Sequence, residues 1–262
     1  MNAKRPTALI TGASSGIGVV FAREYASRGY DLIIAARRID RLNELAAAIA
    51  TDTGVAVKVV ASDLSVPNSA AKLAKAIGST PVDVLVNNAG WGNIGPFSDE
   101  DLTSMADEIN VNVIALTQLA RLFVGPMIER GRGTIINIAS TAAYQPVPNM
   151  SVYAATKAYV LSFTEGLWGE LQGTGVTALA VSPGGTATEF FEVAGGRAMA
   201  GGLMTPAQVV ATAMSALDSA SPAPSVIVGA RNRVMAMAGR FVPKRLSIAV
   251  AKTLMKSNNA DR

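Results

Sequence analysis

The chain has 262 residues, half of them hydrophobic, and a formal net charge of +4. This length and apolar content can bury the core of one large α/β domain or of two small ones. Because the chain contains no cysteine and no histidine, it cannot form a disulfide, a thiol nucleophile, a His-ligated zinc site or a Ser-His-Asp triad. Any acid–base group must therefore be Tyr, Lys, Asp or Glu.

The two ends of the chain differ in character. The amino-terminal residues lead directly into a short apolar run, so we expect neither a signal peptide nor a transmembrane helix. Together with the lack of cysteine, this favours a cytoplasmic location. Residues 231–262 hold eight of the 23 cationic side chains and one of the 19 carboxylates. The chain therefore ends in a basic tail, whereas the remainder is slightly acidic.

Seven short runs rich in β-branched residues and leucine alternate with longer helical patterns. The runs are 7–11, 31–35, 55–61, 82–86, 134–139, 176–181 and 225–228. Strands that are separated by crossover helices pair in parallel. The sequence therefore predicts a single domain over 1–262, with a doubly wound, seven-stranded parallel sheet in a three-layer α/β/α arrangement.

A glycine-rich turn follows the first predicted strand and opens the first helix. In its sequence, TGASSGIG, Gly12 permits a tight turn, Gly16 lets the backbone approach a pyrophosphate, and Gly18 lets the helix pack close to the strand. A strand before the motif and a helix after it are typical of a Rossmann-like dinucleotide site. The predicted contacts are Gly12, Ser14, Ser15, Gly16, Ile17 and Gly18.

The end of the second strand indicates which dinucleotide is bound. Sites that prefer NAD place a carboxylate there on the ribose 2′-hydroxyl, whereas this strand runs into Arg37 and Arg38. A guanidinium makes charge-assisted bonds to a 2′-phosphate, which favours NADP(H) over NAD(H). The alternative is that both arginines merely cap an exposed strand end.

Three residues further along carry acid–base potential. Ser140 follows the fifth strand, and Tyr153 and Lys157 are four residues apart, which places them on one face of a helix. A phenol is a poor proton carrier at neutral pH, but a neighbouring ammonium and an oxidised nicotinamide would stabilise the phenolate. Taken alone, such a pair is usually a solvated helix face; together with the glycine turn it indicates a catalytic site.

With these motifs the chain resembles the short-chain dehydrogenase/reductase family over residues 7–191. The matching residues are Thr11-Gly12-x-x-x-Gly16-x-Gly18, Asp63-Leu64, Asn87-Asn88-Ala89-Gly90, Asn112, Ser140, the Tyr153-x-x-x-Lys157 pair and Pro183-Gly184. The resemblance implies hydride transfer between a nicotinamide and a carbonyl or alcohol carbon. It also implies a homodimer or homotetramer.

The resemblance assigns a role to each matching residue. Ser140 would hold the substrate oxygen, Tyr153 would move its proton, and Lys157 would bind the nicotinamide ribose while lowering the pKa of Tyr153. Asn112 would hold a relay water by its main chain, with Asn110 as the alternative. Further implied cofactor contacts are Asp63, Leu64, Asn88, Ala89, Gly90, Pro183, Gly184, Thr186 and Thr188. Because Ser15 replaces a basic residue common in NADP-dependent members, phosphate recognition would rest mainly on Arg37, helped by Arg38 and Ser14.

Apolar side chains near the expected crevice are candidates for the substrate wall, although each could equally belong to the core. They are Trp91, Phe97, Tyr144, Val147, Met150, Phe190, Phe191, Met199 and Met204. The last four fall in 188–204, a stretch rich in glycine that we interpret as a mobile substrate lid. An apolar wall favours ketones and aldehydes and disfavours multiply charged substrates such as sugar phosphates.

Several functions remain open at this point. NADP(H) favours a reductase, with an alcohol or hydroxysteroid-type dehydrogenase working oxidatively as the alternative. A cofactor-binding regulator on the same fold is a second alternative, which the complete set of catalytic residues argues against. The basic tail could contact an anionic membrane, attract an acidic substrate such as an acyl-CoA, join an oligomer interface or remain a solvated helix. A membrane or nucleic-acid binder acting through this tail is a further alternative, although we expect no nucleic-acid partner and no metal site.

Overall fold

Seven parallel strands form one sheet in the computed structural model, which describes residues 5–190, 203–238 and 242–257. The strands are β1 Thr7–Thr11, β2 Asp31–Ala36, β3 Val57–Ala61, β4 Val84–Asn87, β5 Gly133–Ile138, β6 Val176–Ser182 and β7 Ser225–Ile227. Their order, β3-β2-β1-β4-β5-β6-β7, reverses direction between β1 and β4. A crevice opens at such a switch point, beyond the carboxyl ends of the strands. The predicted sheet is confirmed.

Helices cover both faces of this sheet. They are α1 Gly16–Ser27, α2 Ile39–Thr53, α3 Ser69–Ile77, α4 Leu102–Ile109, α5 Leu116–Glu129, α6 Ser151–Glu170, α7 Pro206–Leu217, α8 Ala230–Ala238 and α9 Lys244–Ser257. Buried side chains of α1, α2 and α7 form a core on one face, and those of α3 and α5 form a core on the other. The three-layer α/β/α architecture follows.

The alternation of side chains along β1 explains why there are two cores. All five of its residues are buried, as expected of a central strand between two helical layers. Ala8 and Ile10 point into the core of α1, α2 and α7, and Leu9 points into the other core. A strand with a side-chain period of two thereby serves both layers.

Helices α4 and α5 run continuously through a π-helical segment, Asn110–Ala115. The 28-residue stretch Leu102–Glu129 is long and apolar enough, by length and composition, to cross a membrane. In this structure 39% of its most apolar window is buried, and Leu119 and Met127 are fully buried in the core formed with α3. A π-helical turn inside an α-helix often marks a functional position, and this one contains Asn112.

Candidate active site

A cavity of about 710 Å³ opens at the carboxyl ends of the strands. Its volume suits a small-molecule site. The sequence-predicted residues that line it are Gly12, Ser14, Ser15, Gly16, Ile17, Arg37, Arg38, Asp63, Leu64, Asn88, Ala89, Gly90, Trp91, Ser140, Tyr144, Val147, Met150, Tyr153, Lys157, Pro183, Gly184, Thr186, Thr188, Phe190 and Met204. One cavity therefore collects candidates from both halves of the sheet.

Some candidates lie elsewhere. Gly18 and Asn112 sit behind the lining, and Phe97 is 63% exposed on a short 3₁₀ turn away from the cavity. Phe97 therefore does not line the substrate cavity, contrary to the prediction. Phe191 and Met199 lie outside the described residues, as does most of the predicted lid; Thr188–Phe190 and Met204 at its two ends border the cavity.

The glycine turn is held tightly against the end of β4. Gly12 has a φ of +66°, and a Cβ there would lie 2.8 Å from the Cα of Ala89. A Cβ at Gly18 would collide with the carbonyl oxygen of Gly12. The Asn88 side-chain amide donates to the carbonyl oxygens of Thr11 (2.9 Å) and Gly12 (3.1 Å). Only glycine fits this cradle, so the residues present suit a dinucleotide phosphate group.

A cluster of charges flanks the glycine turn where β2 ends. The Arg38 guanidinium donates to the Ser14 hydroxyl at 3.1 Å and pairs with Glu189 at 2.6 Å. Arg41, one turn into α2, pairs with the other oxygen of the same carboxylate. Hydrogen bonds from Arg41 and Arg38 lower the pKa of Glu189. The carboxylate therefore ties the segment after β6 to the start of α2.

Arg37 and Asp63 face each other across the neighbouring part of the cavity. The pKa of Asp63 is lowered, because hydrogen bonds from Ser65 and the charge of Arg37 outweigh the effect of its burial. Asp63 accepts from both the main-chain N–H (2.9 Å) and the hydroxyl (2.8 Å) of Ser65. This places a fixed carboxylate and a cation on the wall expected to face the adenosine.

Asn112 uses its side chain to hold a loop. Its amide donates to the Trp91 carbonyl oxygen at 2.8 Å and to the Thr156 hydroxyl at 3.1 Å, and its oxygen accepts the Trp91 N–H at 3.2 Å. The residue is 1% exposed. Its side chain is therefore fully engaged in tying Trp91 to Thr156 on α6.

Tyr153 and Lys157 lie side by side on α6. The Lys157 ammonium is 5.7 Å from the centre of the Tyr153 ring and donates to the Ile138 carbonyl oxygen at 2.8 Å. Burial raises the pKa of Tyr153 to about 12, although a hydrogen bond with Ser140 lowers it. Burial also lowers the pKa of Lys157 to about 8. In the protein alone, desolvation therefore sets the direction of both shifts, and the stabilisation of phenolate by the lysine and an oxidised nicotinamide stays a prediction.

Some lining residues were missed by sequence reasoning. The tail residues Arg231, Asn232, Met235, Ala236 and Ala251 reach the cavity, and Asn232 donates to the Val228 carbonyl oxygen at 2.8 Å. A Cβ at Gly184 would lie 2.5 Å from the Asn232 amide. The basic tail is therefore in part a wall of the site, a role that its charge pattern did not indicate.

Comparison with known proteins gives a consistent picture. A family model described as short chain dehydrogenase matches residues 6–195. A solved short-chain dehydrogenase from Sphingobium yanoikuyae in complex with NADPH superposes with a TM-score of 0.81, at 34% identity over 90% of this chain and 93% of that one. The bulky-bulky ketone specific alcohol dehydrogenase from Comamonas testosteroni gives 0.78 at 31% identity, over 91% and 93% of the two chains.

Curated sequences extend the comparison to thioester chemistry. The very-long-chain 3-oxoacyl-CoA reductase-B of Danio rerio is 32% identical over 180 residues, which are 67% of this chain and 58% of that protein. The chain spans about 60% of the length of this protein and of other curated relatives that it matches.

Proposed function

Because the chain belongs to the short-chain dehydrogenase family, we propose that it is an NADP(H)-dependent oxidoreductase that reduces the carbonyl of a small apolar ketone or aldehyde. The observation that carries this proposal is the convergence of Ser140, Tyr153 and Lys157 on the cavity that also holds the glycine turn and Arg37. A regulator that only bound the cofactor would not need this acid–base group.

The protein's own residues supply binding and proton transfer. When bound, the nicotinamide supplies the hydride for reduction or accepts it for oxidation. Ser140 holds the substrate oxygen by a hydrogen bond, and Tyr153 delivers the proton to that oxygen. Lys157 binds the nicotinamide ribose, and its pKa of about 8 lets it exchange a proton near neutral pH. The main chain at Asn112, in the π-helical turn, holds the water that returns the proton from solvent.

Preference for NADP(H) rests on the arginines after β2. Arg37 lines the cavity beside Asp63, and Arg38 is shared with Ser14 and Glu189. Arg37 is therefore the main partner for a 2′-phosphate. Arg38 also binds this phosphate when its ion pair with Glu189 is broken. Calorimetric titration with NADPH and NADH tests this. Arg37→Ala weakens NADPH binding and spares NADH, and an equal loss for both cofactors would refute the preference.

The substrate end of the cavity is apolar. Tyr144, Val147, Met150, Phe190 and Met204 line it, and the Phe190 ring lies 5.2 Å from that of Tyr153, centre to centre. Such walls favour a hydrophobic carbonyl substrate or, in the oxidative direction, a hydrophobic secondary alcohol. We expect aryl or alkyl ketones to be reduced faster than a sugar phosphate, and the reverse order would contradict the assignment.

A second candidate is reduction of a 3-oxoacyl thioester. Arg231 lines the cavity beside Met235, so an acyl chain and an anionic carrier would both find matching chemistry there. The likeness to the Danio rerio reductase favours the same chemistry. Assaying a 3-oxoacyl-CoA against the free ketone of equal chain length separates the two candidates, because the thioester candidate requires a large preference for the CoA form.

Apolar side chains exposed on α5 and α6 support the proposal of a homodimer or homotetramer. Leu122 is 42% exposed, and Tyr159 is 41% exposed while stacking on Phe163. Association that buried these side chains would remove apolar area from water. Sedimentation equilibrium measures the state, and a monomer at assay concentration would rule it out.

A further inference from the structure

A buried carboxyl group next to the Tyr153–Lys157 pair has no role in the mechanism above. Glu108 lies in the last turn of α4, one helical turn before Asn112, and is 0% exposed. Its Oε2 accepts the main-chain N–H of Asn93 at 3.1 Å, and its Oε1 has no hydrogen-bond partner among the described residues. Burying a carboxyl group without a full set of hydrogen bonds costs free energy of folding, so a group retained in this setting calls for a functional explanation.

Glu108 and Asn112 together hold one loop against Tyr153. Asn112 binds the main chain of Trp91 and Glu108 binds that of Asn93. Between them, Gly92 lies so close to the Tyr153 ring that a Cβ there would be 2.5 Å from the ring carbon Cδ2. The loop is thus clamped on both sides of its contact with the tyrosine.

Hydrogen bonds from the Asn93 side chain reinforce this arrangement. Its amide donates to Glu100 at 3.0 Å and to the Ser104 hydroxyl at 3.1 Å. The main-chain clamp on Asn93 is therefore embedded in a polar network whose one buried carboxyl group is Glu108 among the residues described. Oε1 of Glu108 accepts no hydrogen bond from this network, so the charge of the carboxylate is available to interact with groups on α6.

We propose, on the basis of the oxidoreductase function above, that Glu108 is a positioning residue that holds the 91–93 loop against Tyr153 and tunes the Tyr153–Lys157 pair through its charge. Its action is indirect: it reaches the reacting atoms through the loop and through space. This role requires both the hydrogen bond to Asn93 and the ability of the carboxyl group to ionise.

The charges around Glu108 decide when it ionises. Burial raises its pKa to about 7, Glu100 raises it further, and the Asn93 N–H and Lys157 lower it. Once ionised, Glu108 raises the pKa of both Tyr153 and Lys157. Phenolate formation, which oxidation of an alcohol requires, is therefore opposed as the pH rises past neutrality.

Two substitutions separate the clamp from the charge. Glu108→Gln keeps an oxygen for the Asn93 N–H but cannot ionise, and Glu108→Leu removes both functions. Asp107→Asn is the matched control, since it neutralises the adjacent carboxylate on the same helix. We expect Glu108→Gln to shift the rising limb of the alcohol-oxidation rate, on which the rate increases with pH, to lower pH by about 0.5 pH unit, or about three-fold in rate on that limb. Glu108→Leu lowers kcat at every pH, and Asp107→Asn leaves the profile unchanged.

A titration without substrate separates this inference from the proposed function. Tyrosinate absorbance is followed with pH for the wild type, Glu108→Gln and Asp107→Asn, each against the same protein carrying Tyr153→Phe. A lower Tyr153 midpoint in Glu108→Gln alone supports the inference. Coincident midpoints, or an unchanged rate profile in Glu108→Gln, would overturn it. Absence of turnover in the wild type refutes the proposed function and leaves the titration to decide on Glu108.

Discussion

Replacing Glu189 by glutamine tests how the arginines beside the glycine turn are shared. The Glu189 carboxylate binds Arg38 at 2.6 Å and also binds Arg41. It thereby competes with a ribose 2′-phosphate for the Arg38 guanidinium. Without the charge Arg38 is free to bind that phosphate, so we expect Glu189→Gln to bind NADPH more tightly and NADH as before.

The size of this effect follows from the exposure of the pair. The Arg38 and Glu189 side chains are 42% and 35% exposed, so water screens their attraction and the pair contributes at most about 1 kcal/mol. That free energy corresponds to a gain in NADPH affinity of up to about five-fold. The gain shrinks as salt is added, because exposed charges are screened within a Debye length.

Isothermal titration calorimetry measures both cofactors on the wild type and the variant. Asp218→Asn is the control, because Asp218 holds Arg28 by two bonds of 3.0 Å and does not line the cavity. The control should leave both dissociation constants unchanged. An NADPH affinity that stays constant or falls in Glu189→Gln would refute the idea that the carboxylate competes with the phosphate.

Three further predictions concern the catalytic side chains and the fold. Gly92→Ala pushes on the Tyr153 ring and should lower kcat more than NADPH affinity. The buried main-chain N–H of Thr7 donates to the Asp83 carboxylate at 2.9 Å. Asp83→Ala leaves this N–H without its acceptor and should lower the free energy of unfolding by about 1–3 kcal/mol. Lys157→Met should abolish turnover but raise stability at pH 7. The pKa of Lys157 in the folded wild type is about 8, below that of the unfolded chain. Above this pH the unfolded wild type binds more protons than the folded one, so the wild type gains stability and the advantage of Lys157→Met should shrink as the pH rises.

The sheet and the glycine turn could be predicted from the sequence because each depends on local patterns. Runs of β-branched residues gave strands whose ends lie within two residues of those observed. The turn needs Gly12 and Gly18 for steric reasons that a motif records directly. A local pattern also accounts for the start of α7, where Thr205 forms a capping box with Gln208 and Pro206 occupies the first helical turn.

Other features depend on contacts between distant parts of the chain. Glu189 meets Arg38 across 151 residues, and no local pattern pairs them. Glu108 follows Asp107 and resembles part of a solvated helix face, but the 91–93 loop covers it. The pKa of Tyr153 is expected to fall beside a lysine and an oxidised nicotinamide; in the protein alone burial raises it, and spacing does not reveal that burial.

The most direct test of the proposed function follows NADPH absorbance as apolar ketones and aldehydes are added to the protein, with NADH measured in parallel. We predict that NADPH is oxidised faster than NADH and that Tyr153→Phe abolishes the reaction while still binding NADPH. Undiminished turnover in Tyr153→Phe would contradict the proposed role of Tyr153, and NADPH binding without turnover of any substrate in either direction would contradict the proposed enzyme.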